Sequence, residues 1–358
     1  MVSGARQTSF KQDGSLERLD LQRGVAAFPV DKGLYCDPLL TRHKKVVLDH
    51  LRKFKPDLIH ITGPGDIGFL GLWAAHILRI LLVASWHTNL HEYLSRRLSW
   101  LMNLLPRELN AAASAAVEKQ SLRGLLRFYR TARFVLAPNQ TLVELLHNRT
   151  GKPAFLMPHG LDLTRFSPRK DRKGDQRFCI GYVGRLTAEK NVRFFHELET
   201  RLIATGETDY KFLVVGEGGQ KRWLRTHLRR AELPGVLTGE ALATAYGRMD
   251  AFVFPSRTDT FGLVLLEALA SGIPVIASPE TAARVGIENA VSGFLSDDFA
   301  VSLRTLMHDR GLLLEMGRAA RQLANRNSWD VVFEQLYRTY EAGLILTQRK
   351  REEIVTLS

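Results

Sequence analysis

The sequence predicts an α/β protein built from two doubly wound, Rossmann-like domains, and three observations predict it. Apolar runs of strand length alternate with helical runs, as in Leu58 to Ile61, a helix reaching Leu78, then Leu81 to Ser85, which is the pattern of a βαβ unit. Glycines stand at strand ends, as at Tyr182-Val183-Gly184 and Val215-Gly216, where doubly wound sheets hold phosphates. At 358 residues the chain has the length for two ordinary domains.

Composition narrows the function classes. Hydrophobic residues make up 45% and charged residues 24%, values of a water-soluble globular protein. Cys36 and Cys179 are the two cysteines, too few for a disulfide framework and without metal-ligand spacing, so a reducing cytoplasm is the expected setting. Val2 to Ser15 contain no apolar core, which argues against a signal peptide there. The most membrane-like run, Ile67 to Trp86, is interrupted by His76 and Arg79 and reads as a buried helix followed by a buried strand. Formal charge is +13, of which residues 1–160 carry 22 Lys and Arg against 12 Asp and Glu, or +10. Such a basic half fits nucleic acid or an anionic membrane. No zinc-finger spacing or aromatic-basic ribonucleoprotein motif accompanies it, which argues against nucleic acid and leaves that reading resting on charge alone.

Taken in order, residues 1–30 read as polar and irregular apart from a short strand at Val25 to Val30. Arg42 to Lys55 reads as an amphipathic helix with Val46, Val47, Leu51 and Phe54 on its apolar side. After the strand at Leu81 to Ser85 comes Trp86-His87-Thr88-Asn89, where His87 is either a helix-capping surface residue or a substrate contact. Residues 94–133 read as two helices with eight Lys and Arg against two acids. Leu98, Trp100, Leu101, Leu104 and Leu105 form one apolar set, and Leu122, Leu125, Leu126, Phe128 and Tyr129 another. Two readings stay open: a basic amphipathic seat on an anionic bilayer, or ordinary helices packed on the domain with solvated arginines. Phe134 to Ala137 is a strand, Leu142 to Asn148 a helix, and Ala154 to Met157 a strand.

The second domain opens with the buried strand Phe178 to Gly184, followed by Arg185 and Lys190, cations suited to a phosphate group. Phe212 to Gly216 is the next strand and runs into Glu217-Gly218-Gly219. Asp250 to Ser278 then reads as strand, loop, helix and strand. Gly262 opens its helix, Leu263, Leu266, Leu269 and Ala270 form the apolar stripe, and Gly272 with Pro274 closes it. Two acids, Asp259 and Glu267, stand eight positions apart on either side of that helix N-terminus. Free amides for a diphosphate beside carboxylates for hydroxyl groups suit a nucleotide-sugar. Gly293 to Leu295 is a last short strand. Three helices follow, near Phe299 to His308, Leu312 to Asn325 and Trp329 to Leu346, the last capped by Ser328. Arg349 to Ser358 reads as a frayed tail.

The run Asp259-Thr-Phe-Gly-Leu-Val-Leu-Leu-Glu267-Ala-Leu-Ala resembles the acid-x7-acid signature of the retaining glycosyltransferases of family 4, lipid-glycosylating members included. Asp259 stands where that family usually has Glu. Pro158-His159-Gly160-Leu161-Asp162 resembles the family's crossing between domains, with His159 structural. The resemblance implies the GT-B fold, two Rossmann-like domains facing across a cleft. The domains would be 1–165 on the acceptor side, 166–327 for the nucleotide-sugar, a helix at 328–346 crossing back, and a tail at 347–358. It covers roughly residues 30–345 and implies a first domain short of its leading strand, glycine-rich loop and helix.

The resemblance also assigns roles. Gly184, Arg185 and Lys190 hold the donor phosphates, Gly216 and Glu217 lie near the nucleotide, and Val236 to Glu240, with Gly239, is the short strand and turn bracketing the base. The backbone of Phe261, Gly262 and Leu263 holds phosphate or sugar, Asp259 orients the sugar hydroxyls, Glu267 holds the ribose, and His87 contacts the sugar. Pro279 to Arg284 replaces the family's Gly-Gly-Pro turn. The implied protein is a metal-independent retaining glycosyltransferase moving a hexose from a UDP- or GDP-sugar to a lipid or glycan acceptor. It needs no cofactor and no metal, since no Asp-x-Asp motif is placed to hold one. Its expected place is the cytoplasm, peripheral on the inner face of the membrane through residues 94–133. The alternatives left open are a sugar-nucleotide epimerase of the same fold and a truncated, non-catalytic remnant.

Overall fold

The computed structural model describes residues 1–25, 27–31, 34–37, 39–87, 107–168, 177–257, 262–283 and 285–356. Two compact units result, Met1–Met157 with Arg338–Ser358, and Pro158–Tyr337. Among the described residues no helix is long and apolar enough to cross a membrane.

The first unit begins with β1 (Val2–Ala5), β2 (Ser9–Asp13) and β3 (Leu16–Gln22). They form a three-stranded sheet in the order β1-β3-β2. This corrects the expectation of an irregular N-terminus. Only Leu19, Asp20 and Leu21 of β3 are buried, while Phe10 of β2 is 54% exposed, so the alternation that announces a half-buried strand is nearly absent. The surviving signal is Asp13-Gly14, where Gly14 turns the β2–β3 hairpin with φ +56°. The strand expected at Val25 to Val30 is β4 (Phe28–Asp31), paired antiparallel with β5 (Leu34–Cys36).

A 3-10 turn, Leu40–His43, leads into the helix Lys44–Phe54, which Lys55 ends in a left-handed conformation at φ +53°. Val47 is buried, but Val46 and Phe54 are exposed, so only part of the expected apolar side packs inward. Then β6 (Leu58–Ile61), the helix Asp66–Leu78, and β7 (Leu81–Ser85) follow as the sequence predicts. With β8 (Phe134–Ala137) and β9 (Ala154–Leu156) they build a four-stranded parallel sheet in the order β6-β7-β8-β9. The run Ile67 to Trp86 is thus a helix and a strand; the strand is buried as expected, but the helix only along Gly68, Leu70, Ala74 and Ala75, with Phe69 and Ile77 exposed.

Of residues 94–133, those before 107 lie outside the described residues, and with them the first apolar set. A single helix, Arg107–Tyr129, covers most of the rest. Leu125, Leu126, Phe128 and Tyr129 are buried in the core of the unit, with Leu122 packed against it. Each such side chain contributes roughly 2 kcal/mol by burial, and a bilayer seat using this stripe would forfeit that. The apolar stripe belongs to the core, and Arg123, Arg127 and Arg130 stay on the exposed side.

The second unit carries β10 (Phe178–Val183), β11 (Tyr210–Val215), β12 (Ala231–Gly235), β13 (Ala251–Phe254), β14 (Val275–Ala277) and β15 (Gly293–Leu295). All pair parallel, in the order β12-β11-β10-β13-β14-β15. Numbered within the unit, this is 3-2-1-4-5-6, the doubly wound order with its switch point between β10 and β13. The central strands are buried along their length, as parallel strands covered on both faces are: Ala251 to Phe254 are all buried, whereas the edge strand β12 carries the exposed Glu232. Two expectations need correction. The strand expected at Val236 lies upstream at Ala231–Gly235, because Gly235 at φ +92° ends it and leaves Val236 exposed. In the helix Leu263–Ala270, Leu263 is exposed, whereas Leu265, Leu266, Ala268, Leu269 and Ala270 are buried. Burial almost all round the helix blurs the periodic signal that placed Leu263 inside.

The chain ends in the helices Phe299–His308, Arg310–Asn325 and Trp329–Thr356. Ser328 caps the last, accepting from the Val331 amide at 3.3 Å. The expected frayed tail is helical through Thr356, consistent with the strong helix formers Gln348 to Glu353. Along this helix, Gly343 meets β8 so closely that a Cβ there would stand 2.2 Å from the Phe134 ring.

Candidate functional site

The carboxyl ends of β10 and β11 are laced together through their backbones. The Gly184 amide donates to Val215 O at 3.0 Å, and the Leu186 amide to Glu217 O at 2.8 Å. On the far side the Gly216 amide donates to Gly235 O at 2.8 Å. Glycine is what permits this approach. A Cβ on Gly216, whose φ is +143°, would sit 1.9 Å from Gly184 O, and one on Gly218 would sit 2.3 Å from Leu186 O. A Cβ on Gly184 would stand 2.7 Å from the hydroxyl of Tyr182, which donates to Arg185 O at 3.1 Å. The turn after β10 is therefore fixed by backbone bonds and a buried phenol, which sets where Arg185 and Lys190 leave the chain.

Arg185 is 67% exposed at its side chain and pairs with Glu189 one turn on, at 2.5 Å. Lys190 ends the 3-10 turn Ala188–Lys190 and is buried. Glu217 pairs with Lys221 and reaches the end of β12, where a Cβ on Gly235 would stand 3.0 Å from its Oε1. Gly239, at φ +56°, opens the helix Gly239–Tyr246 behind Thr238.

The loop after β13 leads to the third group of predicted residues. Gly262 caps the helix Leu263–Ala270 in the left-handed region at φ +80°, a conformation that costs other residues strain. The first amides of such a helix have no acceptor within it and form a positive end suited to an anion. In the second turn, Glu267 takes a 2.8 Å hydrogen bond at Oε2 from Tyr246. Burial raises the Glu267 carboxyl above its ordinary value, and the phenol offsets only part of that. Tyr246 is held far above the usual phenol range by its own burial and then by the Glu267 charge. Thr281, in the short helix Pro279–Ala283 that stands for the Gly-Gly-Pro turn, donates to Ser256 O at 2.9 Å and anchors this loop from the side of β14. Asp259 and Phe261 lie outside the described residues.

In the first unit, His87 follows β7 directly. Its Nε2 lies 2.7 Å from Ser85 Oγ, and Ser85 Oγ lies 2.8 Å from His60 Nε2 on β6. His60 Nδ1 in turn meets Tyr340 Oη at 2.6 Å. Burial, and then the neighbouring His87, push His60 down to about 4; burial also lowers His87. Tyr129 stacks on Trp86 at 5.2 Å and donates to Ser85 O at 3.1 Å, fixing the end of β7. His60 and His87 both line a cavity of about 1060 Å3.

The structure thus gathers Gly184, Arg185, Lys190, Gly216 and Glu217 at the β10–β11 end. It places Gly262, Leu263 and Glu267 after β13, and Gly239 after β12. Sequence reasoning missed Tyr246, Ser85, His60 and Tyr340. No local signal marks Tyr246, whose partner lies 21 residues on, or Tyr340, whose partner lies 280 residues away.

Comparisons with known proteins identify the family and the fold. Residues 9–165 match the family model described as Glycosyltransferase Family 4, and residues 177–309 match Glycosyl transferases group 1. The match therefore begins well before residue 30, inside the N-terminal sheet that the sequence alone had left irregular. A GDP-mannose-dependent alpha-mannosyltransferase of Mycolicibacterium smegmatis is 32% identical over 304 residues, covering 82% of this chain and 76% of that protein. The protein of the same description from Corynebacterium glutamicum is 29% identical over 314 residues, covering 84% and 70%. The solved sucrose-phosphate synthase from Thermosynechococcus elongatus aligns with a TM-score of 0.65 at 19% identity, covering 95% of this chain and 89% of that one. Its fold is the GT-B fold that the two parallel sheets of this chain reproduce. Family-model matches on both units and a relative at this identity place the chain in the group 1, family 4 glycosyltransferases.

Proposed function

We propose that the chain is a metal-independent retaining glycosyltransferase that moves a hexose from a nucleotide-diphospho-sugar to a lipid or glycan acceptor. The observation that carries this reading is the glycine-laced turn after β10, from which Arg185 and Lys190 emerge beside the switch point of the second unit's sheet. Charge develops on the diphosphate as the bond to the sugar breaks, and fixed cations stabilise it without a divalent ion. The amides that open the helix Leu263–Ala270 serve the same anion. Glu267, with Oε2 committed to Tyr246, offers Oε1 to the ribose hydroxyls, and Asp259 orients the sugar. His87 is assigned to the transferred sugar. In this reading the electron pair of the sugar–oxygen bond leaves with the diphosphate. The acceptor oxygen attacks from the same face, and its proton passes to the departing phosphate oxygen.

Donor binding and turnover with UDP- and GDP-sugars test this reading, with GDP-mannose tried first because the two similar mannosyltransferases depend on it. The anomeric proton of the product, read by NMR, reports retention. Interconversion of the free sugar-nucleotide without acceptor would point instead to an epimerase, and binding without turnover to a remnant.

The acceptor side carries a basic depression lined by Arg123, Arg127, Arg130 and Arg149. With the apolar stripe of this helix in the core, we assign the depression to electrostatic contact with an anionic membrane, on the cytoplasmic face, rather than to insertion. At roughly 1 kcal/mol per cation near such a surface, four arginines suffice for salt-sensitive attachment. Co-sedimentation with anionic vesicles that persists in 1 M salt, or binding equally to neutral vesicles, would overturn the assignment.

A further inference from the structure

We propose that Tyr340 and His60 are positioning residues that act through the Ser85 hydroxyl to fix His87 in its Nδ1–H tautomer. The observation is an unbroken run of three short contacts, Tyr340 Oη to His60 Nδ1 at 2.6 Å, His60 Nε2 to Ser85 Oγ at 2.8 Å, and Ser85 Oγ to His87 Nε2 at 2.7 Å. It spans β6, the end of β7 and the C-terminal helix.

A serine hydroxyl has one proton to give. Standing between two imidazole nitrogens, Ser85 donates to one and accepts from the other. Two neutral imidazoles joined in this way cannot choose their tautomers independently, because the direction of one bond sets the other. The direction is set at the far end. A phenol is a strong donor and the unprotonated imidazole nitrogen a strong acceptor, so Tyr340 donates to His60 Nδ1. His60 then carries its proton on Nε2 and donates it to Ser85 Oγ. Ser85 donates to His87 Nε2, and His87 keeps its proton on Nδ1. His87 thereby carries its N–H on the side of its ring away from Ser85.

The geometry holding the run is rigid. Ser85 is 1% exposed, and the backbone at Ser85 is pinned by the Tyr129 hydroxyl. The Tyr340 ring packs edge-on against His60 with centroids 5.8 Å apart. Three residues on, Gly343 brings the helix onto Phe134 of β8, where no side chain would fit. The C-terminal helix therefore does more than cover the sheet: it supplies the group that orients the run.

The consequence for turnover rests on the assignment of His87 to the transferred sugar, but the tautomer does not, so the decisive readout needs no substrate. Ring nitrogens of a 15N-histidine-labelled protein report the tautomer by NMR, with signals assigned by their loss in His87→Gln and His60→Gln. The expected spectrum has His87 protonated on Nδ1 and His60 on Nε2. In Tyr340→Phe, which keeps the ring packing, the His87 signals move toward the averaged values of mixed tautomers; Ser85→Ala does the same, and Ser85→Thr restores the fixed form. Turnover in Tyr340→Phe then falls on the order of 3–10-fold with KM for the donor little changed, as expected of a lost orienting contact. A wild-type His87 protonated on Nε2, or a His87 tautomer unchanged in both Tyr340→Phe and Ser85→Ala, overturns the proposal. Should Ser85→Ala not fold, Tyr340→Phe decides alone. A fixed tautomer with no activity on any sugar-nucleotide leaves the positioning role standing and removes the glycosyltransferase reading instead.

Discussion

The hydroxyl of Tyr246 donates a 2.8 Å hydrogen bond to Oε2 of Glu267, joining the end of one helix to the second turn of another. The same hydroxyl lies 3.2 Å from Val264 O, so one proton is shared between two acceptors. Both groups are largely withdrawn from water, and each shifts the other's ionisation. A carboxylate here costs stability because its desolvation exceeds what one shared phenol returns. Such a cost is tolerated at a functional site and is a reason to look for a ligand hydroxyl at Oε1.

Glu267→Gln is expected to separate stability from activity. The native carboxyl is raised above its ordinary value, so from about 4.5 up to that raised value the folded chain binds more protons than the unfolded one. Stability contributed by the protonated form is therefore lost as pH rises through this window. Glutamine keeps an acceptor for Tyr246 and cannot ionise. The melting temperature of Glu267→Gln relative to wild type should thus be higher at pH 7 than at pH 4, while turnover falls on the order of tenfold. Melting curves at the two pH values and an initial-rate assay check both halves. A variant less stable at pH 7 than at pH 4, relative to wild type, contradicts the assigned sign.

The turn after β11 offers an internal control. Gly216→Ala places a Cβ 1.9 Å from Gly184 O, whereas Gly219→Ala, three residues on, meets nothing within 4 Å. A backbone clash of that size cannot be relieved by a rotamer; the β10 turn bearing Arg185 must move. Gly216→Ala should lower stability by about 1–3 kcal/mol and weaken donor binding at least tenfold, while Gly219→Ala stays within twofold of wild type. Calorimetric titration of a nucleoside diphosphate distinguishes them. Equal affinities for the two variants would remove the laced turn from the site.

These particulars show where the sequence was legible. Gly184, Gly216 and Gly262 announce themselves because tight turns at strand ends leave few alternatives to glycine. The parallel sheets are legible because strands buried on both faces are written as unbroken apolar runs, as in Ala251 to Phe254. The N-terminal sheet was not legible, since Ser9 to Asp13 is mostly exposed and has no inward face to betray its period. Tyr246 was hidden for another reason. It sits in an apolar helix where a tyrosine reads as core, and only the fold brings its hydroxyl to Glu267. The Ser85 run is illegible in the same way, since two of its three bonds link segments that no local pattern relates.

His60 makes the first unit sensitive to acid. Its native value of about 4 lies below the ordinary 6.5, so between those values the unfolded chain binds a proton that the folded chain does not. Stability from the neutral ring is complete above about pH 6.5 and is lost as pH falls toward 4. The full difference is roughly 3 kcal/mol, a large share of the stability of a single domain. Urea titrations at pH 7.5 and 5 should show wild type losing midpoint concentration on acidification. His60→Gln, without the titrating ring, should show a shallower loss even though it starts less stable. Parallel pH slopes for the two proteins would exclude His60 as the source.

Arg185 and Glu189 give the last test, because their pairing separates a structural role from a functional one. Their 2.5 Å contact is an i,i+4 pair with the arginine mostly in solvent, and such pairs contribute under about 1 kcal/mol. If the pair were the reason for Arg185, removing either partner would have the same small effect. If Arg185 serves the departing diphosphate, the two variants must diverge. Arg185→Ala is expected to lower turnover at least tenfold, the cost of one charge-assisted contact to developing charge, with a melting temperature close to wild type. Arg185→Lys should recover only part of this, since a point charge cannot reproduce the planar fork. Glu189→Gln should keep turnover within about threefold, because it leaves the guanidinium in place and an exposed i,i+4 pair contributes little. Initial rates at saturating donor, measured beside melting curves, decide the matter. Matching losses in Arg185→Ala and Glu189→Gln would return Arg185 to the surface of an ordinary turn, and the phosphate would have to be sought at Lys190 and the helix opened by Gly262.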